Sequence, residues 1–260
     1  MSENIAPVLE MRNLSKHYGN QQVLRNINLT VQPGQIIGYI GPNGAGKSTT
    51  VRILAGLDGD FQGEVIVDGM DVKLNPLAVK EIIGYVPEVA ELYDTLTPNE
   101  FLMLVGRLHQ MPDSTIAERS RRMLEFFGLG KNLNDRMDTF SKGMRQKVLL
   151  VSGLLHNPKI IFLDEPLSGL DANSVIMVKE ILNRLAAEGK TIFYCSHMMD
   201  VVEKISSRII LLHQGIIFAD GPFSELQHQY GDTLELIFSK LTGQTDTGSK
   251  ANEFLTSLED

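Results

Sequence analysis

The sequence lacks several features that would point to other classes of protein. It has a single cysteine, Cys195, among 260 residues, which excludes a disulfide framework and a metal site built on several thiolates. It has no basic excess: 24 Lys and Arg face 32 Asp and Glu, a net charge of −8. That balance argues against a partner nucleic acid held by a positive surface. No apolar stretch approaches the roughly 18 residues needed to span a bilayer. The richest, Val148–Leu155, is interrupted by Ser152 and Gly153 and ends at His156-Asn157-Pro158. The amino-terminal segment carries Glu3 and Glu10 and has no signal-peptide core. No self-similarity of the 20–50 residue kind marks a solenoid or propeller. With 43% hydrophobic residues, a proper core can form. The expectation is a soluble chain that can still dock on a membrane partner.

What is present is the stretch Gly41-Pro42-Asn43-Gly44-Ala45-Gly46-Lys47-Ser48-Thr49, which fits the phosphate-binding pattern G-x-x-x-x-G-K-[ST]. Residues 35–40, Gln-Ile-Ile-Gly-Tyr-Ile, precede it and read as a buried parallel strand. After Lys47 the apolar Val51, Leu54 and Ala55 recur at helical spacing, with Gly56 as a stop. Strand, glycine loop and helix form the arrangement that phosphate binding needs. Glycines let the backbone turn its N–H groups around phosphate oxygens, and the helix N-terminus adds partial positive charge there. Lys47 can reach the β- and γ-phosphates, and the Ser48 hydroxyl can ligate Mg²⁺. The loop predicts a nucleotide without saying what its hydrolysis drives.

Around this loop the hydrophobic pattern changes twice. Residues 8–31 alternate loosely, with a turn at Tyr18-Gly19-Asn20, and predict an antiparallel hairpin that Glu64–Val67 continues. Residues 82–86 form a buried strand stopped by Pro87. From 97 to 157 the period becomes helical. Thr97-Pro98-Asn99-Glu100 reads as a capping box, a second helix covers 114–127, and a third begins at Ser141 and stops before Pro158. An α/β pattern then resumes. It has strands at 159–163, 191–195, 208–212 and 216–219, a helix at 173–187 closed by Gly189, and short helices from Pro222 and around 234–241. The segment 242–250, rich in Gly, Thr and Ser, reads as a flexible tail. These patterns place a parallel-sheet core, an antiparallel β subdomain and an inserted helical subdomain (about 89–157) within residues 8–238. A tail occupies 239–260.

Ligands of open parallel sheets bind beyond the carboxyl ends of the strands. Four polar features fall at such ends: the glycine loop after Ile40, Glu88 after Val86, Asp164-Glu165 after Leu163, and His197 after Cys195. Phosphoryl transfer needs a phosphate cradle, a metal carboxylate, a group that orients water and a γ-phosphate contact. Asp164 suits the metal, Glu165 the water as general base, and His197 the γ-phosphate. Taken singly, an Asp-Glu pair at a strand end is usually just solvated. The apolar run before it and the phosphate loop upstream reverse that reading. The other histidines, His17, His109, His156, His213 and His228, read as packing or surface residues.

Phe140-Ser141-Lys142-Gly143-Met144-Arg145-Gln146 resembles the Leu-Ser-Gly-Gly-Gln signature of ATP-binding subunits of ABC transporters. The resemblance covers roughly residues 8–240 and implies a P-loop NTPase fold. It implies ATP and Mg²⁺ as cofactors and ATP hydrolysis, with Lys47, Glu165 and His197 as the catalytic set. Ser48, Asp164 and Glu88 are the implied metal set. In that family two subunits pair head to tail, so that Ser141 and Gly143 of one copy close over the ATP in the loop of the other. Ser168-Gly169-Leu170-Asp171 matches the family's interface D-loop, and Tyr18 stands where an aromatic ring stacks on adenine. The implied partners are a second such subunit, most simply an identical copy, and integral membrane permease subunits, with no nucleic acid. The implied location is the cytoplasmic face of the cell membrane. The Ser-Lys-Gly-Met-Arg-Gln form resembles bacterial ABC exporters whose ATPase and membrane chains are separate.

Two departures from the family pattern stand out. Glu88 occupies the place of a glutamine whose amide oxygen ligates Mg²⁺; a carboxylate is also a hard oxygen ligand, but it adds charge beside the γ-phosphate. Lys142 replaces a signature glycine and brings a cation toward the other copy's phosphates, and Met144 replaces a glutamine. Two rival readings are a soluble ABC ATPase acting on a macromolecular complex and a module that binds ATP without turning it over. The single short cassette and the negative charge disfavour the first. The presence of both Glu165 and His197 disfavours the second.

Overall fold

The computed structural model describes residues 6–89, 92–231, 233–242 and Thr256. The chain opens with a long hairpin, β1 (Leu9–Tyr18) and β2 (Gln21–Val31). It continues through β3 (Ile36–Ile40) and the glycine loop into helix α1 (Lys47–Leu54). Strands β4 (Gln62–Val67) and β5 (Met70–Asp71) then return to the hairpin. The four antiparallel strands lie in the order β2-β1-β4-β5.

Helix α2 (Pro76–Ile82) leads into β6 (Ile83–Val86). The helical stretch expected from the 3.6-residue period consists of α3 (Pro98–Leu108), α4 (Asp113–Phe126), a 3-10 turn at Met137–Thr139, and α5 (Lys142–Leu154). The capping box is as the sequence reads: the Thr97 hydroxyl accepts from Glu100 N and the Glu100 carboxylate accepts from Thr97 N. Strand β7 (Ile160–Asp164), α6 (Ala172–Ala187), β8 (Thr191–Cys195), α7 (Met199–Ile205), β9 (Arg208–His213) and β10 (Ile216–Gly221) complete the alternation. Helices α8 (Phe223–Tyr230) and α9 (Leu234–Thr242) follow. Helix α9 therefore carries regular structure past the expected boundary at 238, and the expected tail beyond Thr242 lies, Thr256 apart, outside the described residues. The sequence reading omitted α2 and α7. Among the described residues no helix is long and apolar enough to cross a membrane.

The second sheet has the order β10-β9-β3-β8-β7-β6, parallel except for β10. Its inner strands are buried on both faces, so they can only be a middle layer. Alternate residues divide accordingly. Ile161, Leu163, Ile192 and Tyr194 join a core with α4, α5 and α6. Ile160, Phe162, Phe193 and Cys195 join a core with α1 and the antiparallel sheet. The carboxyl ends of β6, β7, β8 and β3 open on the same edge.

One contact sets how closely the helical stretch approaches this sheet. A Cβ on Gly84 in β6 would collide with the carbonyl oxygen of Gly153 in α5, and one on Gly153 would lie 2.7 Å from Val86 Cγ2. Strand and helix thus meet backbone to backbone. Gly84→Ala is expected to lose roughly 1–3 kcal/mol, the usual cost of overpacking, read as a lower Tm by differential scanning calorimetry; an unchanged Tm would contradict the close approach.

Candidate functional site

The phosphate loop is built on two glycines that no other residue can replace. A Cβ on Gly41 would collide with the Leu212 carbonyl, and Gly46 has φ 109° with Leu24 Cδ2 only 2.6 Å from where a Cβ would sit. Gly44 also takes a positive φ, 79°, which suits glycine. Lys47 folds back over the loop, its Nζ donating to Gly41 O (2.8 Å) and Pro42 O (3.2 Å). The ammonium is thereby held at the mouth of α1, where N–H groups without intrahelical partners also point. Ala45 N donates to Pro42 O at 3.1 Å, and its side chain is buried in the core beneath the loop.

The loop faces a cleft of about 780 Å³. The cleft collects residues from four strand ends: Lys47, Ser48 and Thr49 after β3, Glu88 after β6, Asp164 and Glu165 at β7, and His197 after β8. Tyr18 closes one side. Gly41, Pro42, Asn43, Gly44 and Gly46 supply the loop wall. Of the residues expected at the site, Ala45 does not line the cleft because it faces the core, and Ser141 and Gly143 do not line it at all.

The two β7 carboxylates differ in their surroundings. Asp164 is 3% exposed. Burial pushes its carboxyl above the ordinary value, the Ser48 hydroxyl pulls it back, and the charges of Glu88 and Glu165 push it up again against Lys47. Its Oδ1 is buried without a hydrogen-bond partner. An anionic oxygen so placed is costly, and a cation beside it would relieve both the missing partner and the repulsion, so Asp164 and Ser48 fit Mg²⁺. Among the described residues no three His, Cys, Asp or Glu side chains form a complete ion cage. The remaining ligands would therefore come from phosphate oxygens and water, which is how Mg²⁺ is usually held with nucleotides. Glu88 is exposed at the end of its strand, across the cleft from the loop.

Glu165 is held by hydrogen bonds. Its backbone is left-handed, φ 47°, an uncommon conformation for a non-glycine residue that concentrates at functional sites. Its N–H donates to Cys195 O at 2.9 Å, turning the side chain toward the end of β8. There Oε2 accepts from Ser196 Oγ at 2.9 Å and Oε1 from His197 N at 2.8 Å. His197 Nδ1 also lies 2.8 Å from Oε1, while most of its ring is exposed. Ser196 is a member of the site that sequence reasoning passed over; its only sequence signal is its place between β8 and His197. Met199 and Phe238 also reach the cleft, Phe238 from a helix some forty positions downstream.

The signature segment lies elsewhere. Ser141 caps α5, its Oγ accepting from Met144 N at 3.3 Å. A Cβ on Gly143 would lie 2.6 Å from Gly169 O, so the signature rests on the D-loop of the same chain. Lys142, expected as a cation toward phosphates, donates from Nζ to Ser168 Oγ at 2.8 Å. Lys147 pairs with Asp171 at 3.3 Å, and Asp171 caps α6 by accepting from Ser174 N at 2.9 Å.

The chain is similar to known proteins over most of its length. The family model described as ABC transporter matches residues 24–168. The linearmycin resistance ATP-binding protein LnrL of Bacillus subtilis is 34% identical over 228 residues, 87% of this chain and 73% of that protein. The Nod factor export ATP-binding protein I of Cupriavidus metallidurans is 33% identical over 244 residues, 90% of this chain and 80% of that protein. A solved ATP-binding subunit of an ABC transporter superposes with a TM-score of 0.85 at 31% identity, covering 90% of this chain and 99% of that one. A dimeric ATP-binding cassette in a post-hydrolysis state, bound to ADP and Pi, superposes with a TM-score of 0.77 at 26% identity, covering 82% and 98%.

A carboxyl whose folded-state pKa is raised favours the folded state at low pH and opposes it as the pH climbs through that value. Asp164→Asn is therefore expected to raise the Tm at pH 7 without nucleotide or Mg²⁺, with the gain fading as the pH falls toward the ordinary carboxylate range of about 4. Thermal melts of both proteins across pH 4–8 check this; an equal or lower Tm for the variant at pH 7 would contradict it.

Proposed function

This chain belongs to the ABC transporter ATP-binding family and is an ABC ATPase, and on that premise we propose that it dimerises on ATP and powers transport, in the export direction, through a separate membrane-spanning partner. The observation that carries the dimer is the separation within one chain. Phosphate loop, Asp164, Glu165 and His197 share a cleft, while Ser141 and Gly143 do not line it. The Ser141 hydroxyl and the N–H groups opening α5 are donors at a helix N-terminus, suited to an anion brought by a second copy. The dimeric cassette with ADP and Pi is a precedent for such pairing. Export rests on the Ser-Lys-Gly-Met-Arg-Gln form of the signature, with the Nod factor export protein among the relatives.

In this reading Lys47 and the N–H groups of the loop hold the β- and γ-phosphates. Asp164 and Ser48 would hold Mg²⁺, with Glu88 facing the same space; when bound, such an ion would supply positive charge against the phosphate oxygens. Glu165, fixed by Ser196 and the His197 N–H, orients the attacking water and takes its proton. His197 keeps the carboxylate aimed and presents its exposed edge to the γ-phosphate. Two ATP molecules lie between two copies, and their hydrolysis reopens the pair and resets the membrane partner. The working cassette, expected over residues 8–238, runs to the end of α9 at Thr242 and is located at the cytoplasmic face of the membrane through that partner.

Turnover per chain should rise with protein concentration, since each site lacks its signature donors alone. Glu165→Gln should bind ATP normally and elute as a dimer on gel filtration in ATP and Mg²⁺; a monomer under those conditions overturns the composite site. Ser196→Ala should lower kcat on the order of tenfold through a mispositioned carboxylate while leaving the Kd for ATP unchanged, measured by a phosphate-release assay beside calorimetric titration. Co-purification of a multi-span membrane protein with the tagged chain from its native host tests the transport reading, and its absence favours a soluble ATPase.

A further inference from the structure

Tyr18 enters the cleft half exposed, and behind its ring lies an ammonium. Lys16 Nζ is 4.8 Å from the ring centroid, and the Lys16 side chain is only 3% exposed. That ammonium donates to Asp58 Oδ1 at 2.9 Å, to Asp60 Oδ2 at 3.3 Å and to the Asp60 carbonyl. The other Asp58 oxygen, Oδ2, accepts from the Tyr18 hydroxyl at 3.0 Å. Asp58 itself is anchored, with Oδ1 accepting from Asp60 N at 3.1 Å. Burial pushes the Lys16 ammonium down, but its bonds to Asp58 and Asp60 outweigh that and leave it above its ordinary value. Burial likewise pushes Asp58 up, and the bonds from Lys16, the Asp60 N–H and the Tyr18 hydroxyl together more than reverse it. Both groups are thus held charged.

Burying a lysine is costly unless it is fully paired, and packing alone would be served by an apolar side chain. What the lysine adds is a fixed cation on one ring face, and its bond to Asp58 Oδ1 fixes the carboxylate that accepts from the ring hydroxyl. Asp58 lies in the turn that ends α1, with its N–H and that of Leu57 on Arg52 O. The same helix closes the phosphate loop at its other end. At 1.5 Å per residue, its eight residues set a rigid spacing between the loop and Asp58.

We propose that Lys16 and Asp58 are positioning residues for the nucleotide base, clamping the Tyr18 ring at a distance from the phosphate cradle fixed by α1 and leaving its cleft-facing side free to stack. The inference rests on the reading that Tyr18 receives the base. A clamped ring loses little freedom when the base arrives, and the ammonium holds the ring by a cation–π contact on the face away from the nucleotide.

Calorimetric titration with ATP and with inorganic tripolyphosphate, which has the phosphates without the base, tests the clamp on the full chain. Lys16→Met and Asp58→Asn should each weaken ATP binding about fivefold, the scale of one such contact, and leave tripolyphosphate unchanged. Tyr18→Phe, which removes only the hydroxyl tether, should weaken ATP about twofold. Thermal melts run alongside; if Lys16→Met does not fold, Asp58→Asn and Tyr18→Phe decide. Folded clamp variants that bind ATP as wild type does, while Tyr18→Ala loses affinity, overturn the clamp and leave the base reading intact. Equal losses for both ligands also overturn it, because they mark a structural defect. If Tyr18→Ala leaves the ATP-to-tripolyphosphate ratio unchanged, the base reading itself fails.

Discussion

Negative charge is concentrated where the sheet least tolerates it. Asp164 and Glu165 close a strand buried on both faces, Glu88 adds a third carboxylate across the cleft, and Lys47 is the ammonium set against them. Much of the local architecture answers this imbalance. Glu165 is satisfied by hydrogen bonding, its two oxygens taken by Ser196, the His197 N–H and the His197 ring. Asp164 is left with an unpaired oxygen and a carboxyl held reluctantly ionised. The site trades stability for reactivity in the usual manner of functional clefts, and a divalent cation arriving with a nucleotide would offset the carboxylate charge.

The same sheet that creates the problem also collects its parts. Parallel strands must be covered on both faces, so polar groups at their carboxyl ends have only one edge to occupy. The order β3-β8-β7-β6 places the phosphate loop, His197, Asp164-Glu165 and Glu88 in succession along it. The signature departs from this rule. It opens a helix of the inserted stretch and leans on the D-loop through Gly143 and Lys142, so its local support comes from the segment before α6 and not from the phosphate loop.

Much of this was legible from residues alone, for identifiable reasons. The inner strands are apolar without a break, the glycine loop has fixed spacing, and Thr97 to Glu100 carries its capping chemistry locally. The two helices passed over, α2 and α7, are seven residues each. The first has Leu77 exposed and only Val79 buried, so it offers no repeating face to detect. The second begins two residues past His197, where the site residues mask its start. The partners of Glu165 and Tyr18 were illegible for a different reason. Ser196 is 31 residues from Glu165 and Asp58 is 40 from Tyr18, and only the fold's pairing of distant segments brings them within reach. Ala45 matched the motif by position, yet its side chain serves the core.

The bare-backbone contact between Gly84 and Gly153 has a mechanical meaning. Side chains between two elements act as springs, since rotamers can absorb a small shift. At this one crossing no spring intervenes, and the strand leading to Glu88 sits directly on the backbone of the helix opening at Ser141. A larger side chain at either glycine would therefore have to push the helical stretch away from the strand that ends beside Glu88.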